Sequence, residues 1–529
     1  MPISPIWPAA TAVNAEGSIE FHGRTAESLL DEFGSPLYLI DTDEVVACAR
    51  HFVRAAAEAF NTSTTHVSFA GKAFLSKEVV RLVTEAGMFV DTCTMGEMKI
   101  ALAAGVPGRR LVLHGNNKSD EEIALAIEQG FAKIVIDEPD EPERVAAIAR
   151  KLGKRARVML RVTVGVHAGG HEYISTAHED QKFGVPLLAA GADAAVLDVL
   201  NDLKDVTPAA TNARISATHS PENGAEKTEK SERELHYDVK YPYDLSHEEV
   251  SDTDKALAAA MEAIADGPSI AVLKTILANQ DVLELVGAHS HIGSNIHDAD
   301  AFIHAAKRMM LLRKTLWATD AYILPEIDLG GGYSVAYTDG EDSMDIDVEL
   351  TRLADAAQHQ PCARHARPAI SFEPGRYIVA PAGVTLYRVG TIKHVHLSDA
   401  KDSDGNPIAE RVYVSVDGGM SDNIRPALYG ADYTARLANR TGSAETMLAR
   451  VCGMHCESGD IVVHEVQLPA DLKRGDILAV PVTGAYGRTM ASNYNQALIP
   501  AVVAVSESGA HVMLRRQTVD DLLNLDVSE

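Results

Sequence analysis

Positive charge is scarce in this chain. Lys and Arg total 48 of 529 residues, against 75 Asp and Glu, for a formal net charge of −27. Nucleic-acid binding needs Lys and Arg to neutralise phosphates, so the balance argues against that class, and equally against an anionic membrane surface. The acidity serves solubility and points to no partner. Cysteine is scarce as well: Cys48, Cys93, Cys362, Cys452 and Cys456 form an odd, sparse set. That suits reduced thiols in a cytosol and excludes a disulfide framework. The opening Met1-Pro2-Ile3-Ser4-Pro5 lacks the basic flank and apolar centre of a secretion signal, and no run approaches the length of a membrane span. A cytoplasmic location is therefore expected. What is present is ordinary for a globular protein: 46% apolar and 23% charged residues, in a length that suits two to four domains.

From about residue 65, short β-rich runs alternate with amphipathic helical patterns. The strand runs are 66–70, 88–91, 110–114, 133–137, 157–164, 283–289, 326–329 and 369–372. The helical patterns between them are 75–87, 95–105, 120–130, 142–152, 255–264, 299–316 and 346–358. Parallel strands need helical crossovers, so eight such units suggest a (β/α)8 barrel of the TIM type, with its chemistry at the strands' C-terminal ends. An open doubly wound sheet is the alternative from pattern alone. After residue 380 strand-like runs follow with few helices, at 385–389, 411–416, 460–466, 476–482 and 501–505. They read as a mostly antiparallel β-barrel or sandwich domain, which the run 36–41 joins. The expected division is 44–379 for the barrel, with 1–43 and 380–529 in the β domain. A polar stretch at about 190–252 interrupts the barrel, and its lack of apolar residues predicts a solvated, largely disordered insertion.

Several groups could carry chemistry. Lys72 lies in Phe69-Ala-Gly-Lys72-Ala-Phe74, at the end of the first strand, where burial among small and apolar residues would lower its pKa and free the amine for a Schiff base. A surface lysine is the plain alternative. Gly330, Gly331 and Gly332 follow an apolar strand and suit either a phosphate or a tight turn. In His289-Ser-His291-Ile-Gly-Ser294, a histidine could stack on a planar ring and a serine could donate to a phosphate. A metal pair and a plain buried histidine stay open there. Glu373-Pro-Gly375-Arg376 follows the eighth strand. A carboxylate there could hold a pyridinium nitrogen protonated or make a structural ion pair, and Arg376 could grip a carboxylate or phosphate. In the β domain, Gly453-Met-His-Cys456-Glu457 offers a thiol as proton donor and a partner for an ammonium. Arg425-Pro-Ala-Leu-Tyr429 and Gly484-Ala-Tyr486-Gly could serve an anionic ligand or be turns.

Taken together and in this order, with His114-Gly-Asn-Asn-Lys118, His171-Glu-Tyr-Ile-Ser-Thr, Lys182-Phe-Gly and Ser492-Asn-Tyr-Asn, these residues resemble the alanine-racemase-like barrel family of pyridoxal phosphate (PLP) enzymes, fold type III. Within it they are similar to the decarboxylases of meso-2,6-diaminopimelate. The resemblance runs from about residue 30 to 506 apart from the insertion. It implies PLP as cofactor and removal of one carboxylate to leave L-lysine, the last step of lysine biosynthesis. Lys72 would then hold PLP, His291 stack on its ring, and Ser294 with Gly330, Gly331 and Gly332 hold its phosphate. Glu373 would face the ring nitrogen, with Gly375 and Arg376 beside it. Arg376, Arg425 and Tyr429 would bind the substrate's distal carboxylate, Glu457 its distal ammonium, and Tyr486 both substrate and cofactor. Cys456 would return a proton, and Cys456 and Glu457 would come from the partner in a homodimer. No metal is implied. Met95 stands where the family favours glycine, and Asn295 where it favours glutamine. A decarboxylase of ornithine or arginine is the alternative activity. A non-catalytic PLP-binding homologue is the alternative class, although Lys72 and Cys456 are both present.

Overall fold

The computed structural model describes residues 3–166, 181–202, 252–358 and 367–528. Eight parallel strands close into a barrel: β1 (Thr65–Ala70), β2 (Phe89–Thr92), β3 (Leu111–Leu113), β4 (Lys133–Ile136), β5 (Ala156–Thr163), β6 (Leu283–His289), β7 (Glu326–Asp328) and β8 (Ala369–Phe372). The ring is complete because β8 pairs with β1 through Ile370↔Thr65 and β4 pairs with β5 through Ile134↔Val158. The barrel, and not the open sheet, is therefore the architecture. These strands are covered by helices outside and packed within, so they read as nearly unbroken buried runs.

Local chemistry sets the helix ends. Ser119 and Glu122 form a capping box before helix Asp120–Gln129, and Gly130 closes it in the left-handed region. Ser76 caps Lys77–Glu85 by accepting from Val79 N–H, which starts that helix two residues later than the expected 75. Val79, Val80 and Val83 form its buried stripe. Asp298 caps Ala299–Asp320, which runs four residues past the expected end at 316.

The first part of the stretch expected as an insertion at 190–252 is structured. Residues 190–202 include a 3-10 turn, Ala194–Leu197, and a short helix, Val199–Asp202, with Leu197 and Leu200 in the core. These two leucines offset the ordering entropy that the polar composition could not. The rest, 203–251, lies outside the described residues. After it come Asp252–Ala265 and a second helix, Pro268–Ala278, which the periodicity did not indicate.

The second sheet runs in the order Ile461–Pro469, Thr446–Cys452, Pro407–Val416, Gly383–Lys401, Leu37–Asp41, Ala501–Ser506 and Gly509–Leu514. Ile477–Pro481 also pairs with Gly383–Lys401. The N-terminal strand joins this sheet as expected. Two of its pairings are parallel and the rest antiparallel. No single helix among the described residues is long and apolar enough to cross a membrane.

The sheet domain meets the barrel beside Lys72. Tyr486, in the left-handed region at φ 59°, donates its N–H to Ala73 O at 2.8 Å.

Candidate active site

Two cavities open at the C-terminal ends of the strands and share Lys72, Phe183 and His291 in their walls. The inner one, of 370 Å³, reaches Glu373, His289, His114, Asp91 and Arg161. The outer one, of 460 Å³, reaches Ser294, Arg376, Arg425, Tyr429 and Tyr486. Of the residues singled out in the barrel, Lys72, His291, Ser294, Glu373 and Arg376 line this bipartite cleft, whereas Gly330, Gly331, Gly332 and Gly375 line neither part.

Lys72 stands where the two meet, but it is not buried as the sequence implied. Gly71, Ala73 and Phe74 are buried, whereas Lys72 is exposed to the cleft. A tight backbone positions it: Gly71 N–H donates to Asp91 O at 3.1 Å, and Ala70 N–H to Pro374 O at 3.3 Å. Gly375 makes that approach feasible, since a Cβ there would lie 2.9 Å from Ala70 Cβ.

At the floor of the inner cavity, Glu373 is flanked by two histidines. His289 Nε2 lies 3.0 Å from Oε2 and His114 Nε2 lies 3.0 Å from Oε1. Burial works against the Glu373 anion, but His289 and His114 hold its carboxyl well below the ordinary range. His114 is raised to about 10: burial opposes its charge, and Glu373 and then Asp91 overcome that. Asp91 goes the other way, pushed to about 7 by burial and by Glu373. Neither oxygen of Asp91 finds a hydrogen bond within the described residues.

His289 and His291 do not act as a metal pair. His289 is directed at Glu373, whereas His291 Nδ1 accepts from Gly331 N–H at 3.2 Å. Burial first, then Lys72, pushes His291 well below its ordinary value, so it presents a neutral ring to the cleft.

The glycine run is built for close packing. A Cβ on Gly331 would lie 2.1 Å from Glu373 O. Gly330 N–H donates to Asp328 Oδ1 at 3.0 Å and Gly331 N–H to His291, so two of the three donors proposed for a phosphate are engaged by the chain itself.

The outer cavity is an arginine–tyrosine lattice. Arg376 donates to Ser294 Oγ at 2.8 Å and to the Tyr337 hydroxyl, and lies 4.7 Å from the Tyr486 ring centre. Arg425 lies 4.4 Å over the Tyr337 ring and donates to the Tyr433 hydroxyl. Among the described residues neither guanidinium has an acidic partner within the ion-pair limit. Two buried cations facing an open cavity suit a carboxylate or a phosphate.

Cys456 and Glu457 are not brought to this cleft. Both are exposed and line neither cavity. Their loop is nevertheless built. Asp460 accepts from Met420 N–H and His455 N–H at 2.6 and 2.7 Å, while the His455 ring is held by Asn495 Oδ1 and Ser421 Oγ. The motif 171–176 lies outside the described residues.

The sequence motifs assign no cofactor or substrate role to Asp91, His114, His289, Arg161, Tyr337 or Tyr433, and leave His289 open as a metal ligand or a plain buried histidine. The first four sit at or just past the C-terminal ends of β2, β3, β6 and β5, a position that could have flagged them. Tyr337 and Tyr433 lie in loops and carry no local signal.

The donor set fits PLP. It offers a cleft-facing amine at Lys72, an anionic carboxylate at Glu373, a neutral ring wall at His291, and the cation Arg376 beside Ser294. The orphaned Asp91 oxygens and His289 Nδ1 line the same cavity and call for a polar ligand.

Comparison with known proteins agrees. The family described as pyridoxal-dependent decarboxylase, pyridoxal binding domain, matches residues 48–207 and 267–380. The chain is 38% identical over 527 residues to a diaminopimelate decarboxylase of Mycobacterium tuberculosis, covering 99% of this chain and 98% of that protein. A diaminopimelate decarboxylase structure from M. jannaschii superposes with a TM-score of 0.72 at 24% identity, covering 99% and 98% of the two chains. One from Helicobacter pylori, complexed with L-lysine, gives 0.67 at 25% identity, covering 94% and 98%.

Proposed function

The chain belongs to the diaminopimelate decarboxylase family of PLP-dependent enzymes, and from that premise we propose how its residues divide the work. The reaction is decarboxylation of meso-2,6-diaminopimelate to L-lysine, in lysine biosynthesis. When bound, PLP supplies a cationic ring that takes up the electron pair left as the carboxylate departs.

Lys72 Nζ would hold the cofactor covalently, and Glu373 would pair with its ring nitrogen. His291 forms one wall. Ser294, Gly332 and Arg376 serve the phosphate, with Gly330, Gly331 and Gly375 shaping the loops around it. Arg376, Arg425 and Tyr429 bind the distal carboxylate, and Tyr486 closes the cleft between cofactor and substrate. Cys456 Sγ returns a proton to the substrate carbon, and Glu457 pairs with the distal ammonium. Because these last two lie away from their own chain's cleft, the working unit is a homodimer with sites shared across the interface. The protein works in the cytoplasm, with 44–379 as barrel and 1–43 plus 380–529 as β domain.

The observation that carries this reading is Lys72 opening onto one cleft that holds both the histidine-bound Glu373 and the arginine–tyrosine lattice. Ornithine and arginine lack a distal carboxylate and would leave the buried Arg425 without a counter-ion, which favours diaminopimelate. The test mixes two inactive variants, Lys72→Ala and Cys456→Ala, after subunit exchange. Shared sites predict recovery of about a quarter of wild-type CO2 release, because half the dimers carry one intact site of two. No recovery despite exchange would place both residues in one chain's site. Lys72→Ala alone should lose the absorbance band of bound PLP.

A further inference from the structure

Glu373 stands at the mouth of a barrel crowded with charge. Asp91, His114, His289, Asp328, Lys133, Arg161, His291 and Lys72 all lie on or just past the strands around it. Lys133 is held by Glu326 at 2.5 Å and by Asp328 at 3.3 Å, lower in the barrel. Arg161 is 3.8 Å from Asp137 and its guanidinium lies 4.5 Å from the Phe183 ring centre. Those cations are engaged elsewhere. The groups in direct contact with the Glu373 oxygens are His289, 3.0 Å from Oε2, and His114, 3.0 Å from Oε1. The same His114 Nε2 also faces a second acid, Asp91 Oδ1 at 3.8 Å, so one ring nitrogen is presented to both carboxylates. Its ring meets that of His289 edge-on, with centres 5.2 Å apart, so the two imidazoles brace each other around one carboxylate.

We propose that His114 is a positioning residue: as an imidazolium whose Nε2 faces Glu373 and, farther off, Asp91, it keeps the Glu373 carboxylate in its ionised form where the cofactor nitrogen would lie. The inference rests on the reading of Glu373 given above and extends it to a residue that the reaction does not otherwise need. His114 raised to about 10 and Glu373 held well below its ordinary value are the electrostatic consequence of this contact. Burial alone would drive both groups to their neutral forms. Without the imidazolium, the remaining histidine must hold a buried carboxylate with the Asp91 carboxyl nearby, and the Glu373 proton affinity rises toward neutrality.

The test uses His114→Phe, His114→Gln and Glu373→Gln, with two readouts: PLP uptake by the apoenzyme, followed by absorbance, and steady-state decarboxylation, both from pH 6 to 8.5. For His114→Phe, PLP affinity should fall about tenfold between pH 8 and pH 6, one pKa unit's worth of competition by protonation, where wild type changes less than about twofold. Its kcat should drop at least about tenfold at pH 7 with KM for diaminopimelate little changed, because substrate contacts lie in the other cavity. His114→Gln keeps a donor but not the charge. It should recover uptake at pH 8 and retain the acid limb, and it also serves if the phenylalanine variant does not fold. A purely structural role would scale both curves without changing their shape, and parallel pH profiles overturn the proposal. If Glu373→Gln binds PLP and turns over like wild type, the reading of Glu373 itself fails. If Glu373→Gln is crippled while the His114 variants keep the wild-type profile, only the role of His114 falls.

Discussion

Lys118 offers the sharpest test of how the site is supported. Its side chain is fully buried, 0% exposed, and its Nζ donates to Glu141 Oε1 at 2.6 Å and to Gly115 O at 2.7 Å. Glu141, 3% exposed, uses its other oxygen to accept from Asp137 N–H at 2.8 Å. The pair thus ties the turn after β3, which carries His114, Asn116 and Asn117 into the cavity, to the turn after β4. Lys118→Met keeps the volume but leaves the Glu141 carboxylate buried without its counter-ion. Breaking a buried pair from one side costs about 3–5 kcal/mol, because the remaining charge has lost both water and partner. The Gly115 carbonyl adds about 1 kcal/mol for its lost donor. Removing both charges in Lys118→Met/Glu141→Leu should return most of that loss, since an apolar pair of similar size is close to neutral. Urea unfolding of the apoenzyme, followed by circular dichroism for wild type, both single variants and the double, measures the coupling directly. A loss below about 1 kcal/mol in Lys118→Met, or a double variant no better than that single, would refute the assignment of a buried, coupled pair.

Two further outcomes are expected. Arg425→Met should raise KM for diaminopimelate roughly 10- to 150-fold, the equivalent of a charged hydrogen bond of about 1.5–3 kcal/mol, while leaving the PLP band intact; a lost band with unchanged KM would move Arg425 to the cofactor. Asp91, raised to about 7 by burial and Glu373, keeps its proton in the folded apoenzyme after the unfolded chain has released it. Its contribution to stability therefore declines as pH rises from roughly 4 to 7, by up to about 4 kcal/mol, and is flat above that. Asp91→Asn should make the apoenzyme more stable than wild type at pH 8 and no more stable at pH 4, and a pH-independent difference in thermal unfolding would contradict this.

Much of the barrel was legible in the residues, for a physical reason. Parallel strands buried on both faces appear as short apolar runs between turns, and β6, β8 and helix Ile346–Gln358 match their expected bounds. Helix Pro268–Ala278 was not legible, because it is apolar on nearly every side and shows no stripe. Strand Thr446–Cys452 alternates only weakly, with Met447 and Leu448 half-buried and Arg450 and Cys452 partly exposed. At the site, residues in strand-end motifs could be read, because the barrel brings all such ends to one face. Exposure of Lys72 could not, since its small apolar neighbours pack beneath it and not over it. Tyr337 and Tyr433 became visible only when the fold laid them beside Arg376 and Arg425.

Three carboxylates crowd the barrel mouth, and their differing states show how the fold assigns roles. Asp91, Asp328 and Glu373 are all buried, so desolvation pushes each toward neutrality by the same mechanism. What separates them is the neighbour each receives. Glu373 has two imidazoles at 3.0 Å and stays ionised. Asp328 has Lys133 at 3.3 Å and the Gly330 N–H, but Glu373 also repels it, and its carboxyl remains raised. Asp91 has, among the described residues, just His114 at 3.8 Å as a counter-charge, and burial and Glu373 raise its carboxyl to about 7. A site that must hold one fixed anion against a ring nitrogen, in a pocket unable to support three, needs this inequality. It comes from the placement of two histidines at the ends of β3 and β6, and not from any property of glutamate over aspartate. Exchanging the partners should therefore exchange the roles: a barrel with the same three acids, but with the histidines turned toward β2, would ionise Asp91 and leave Glu373 protonated.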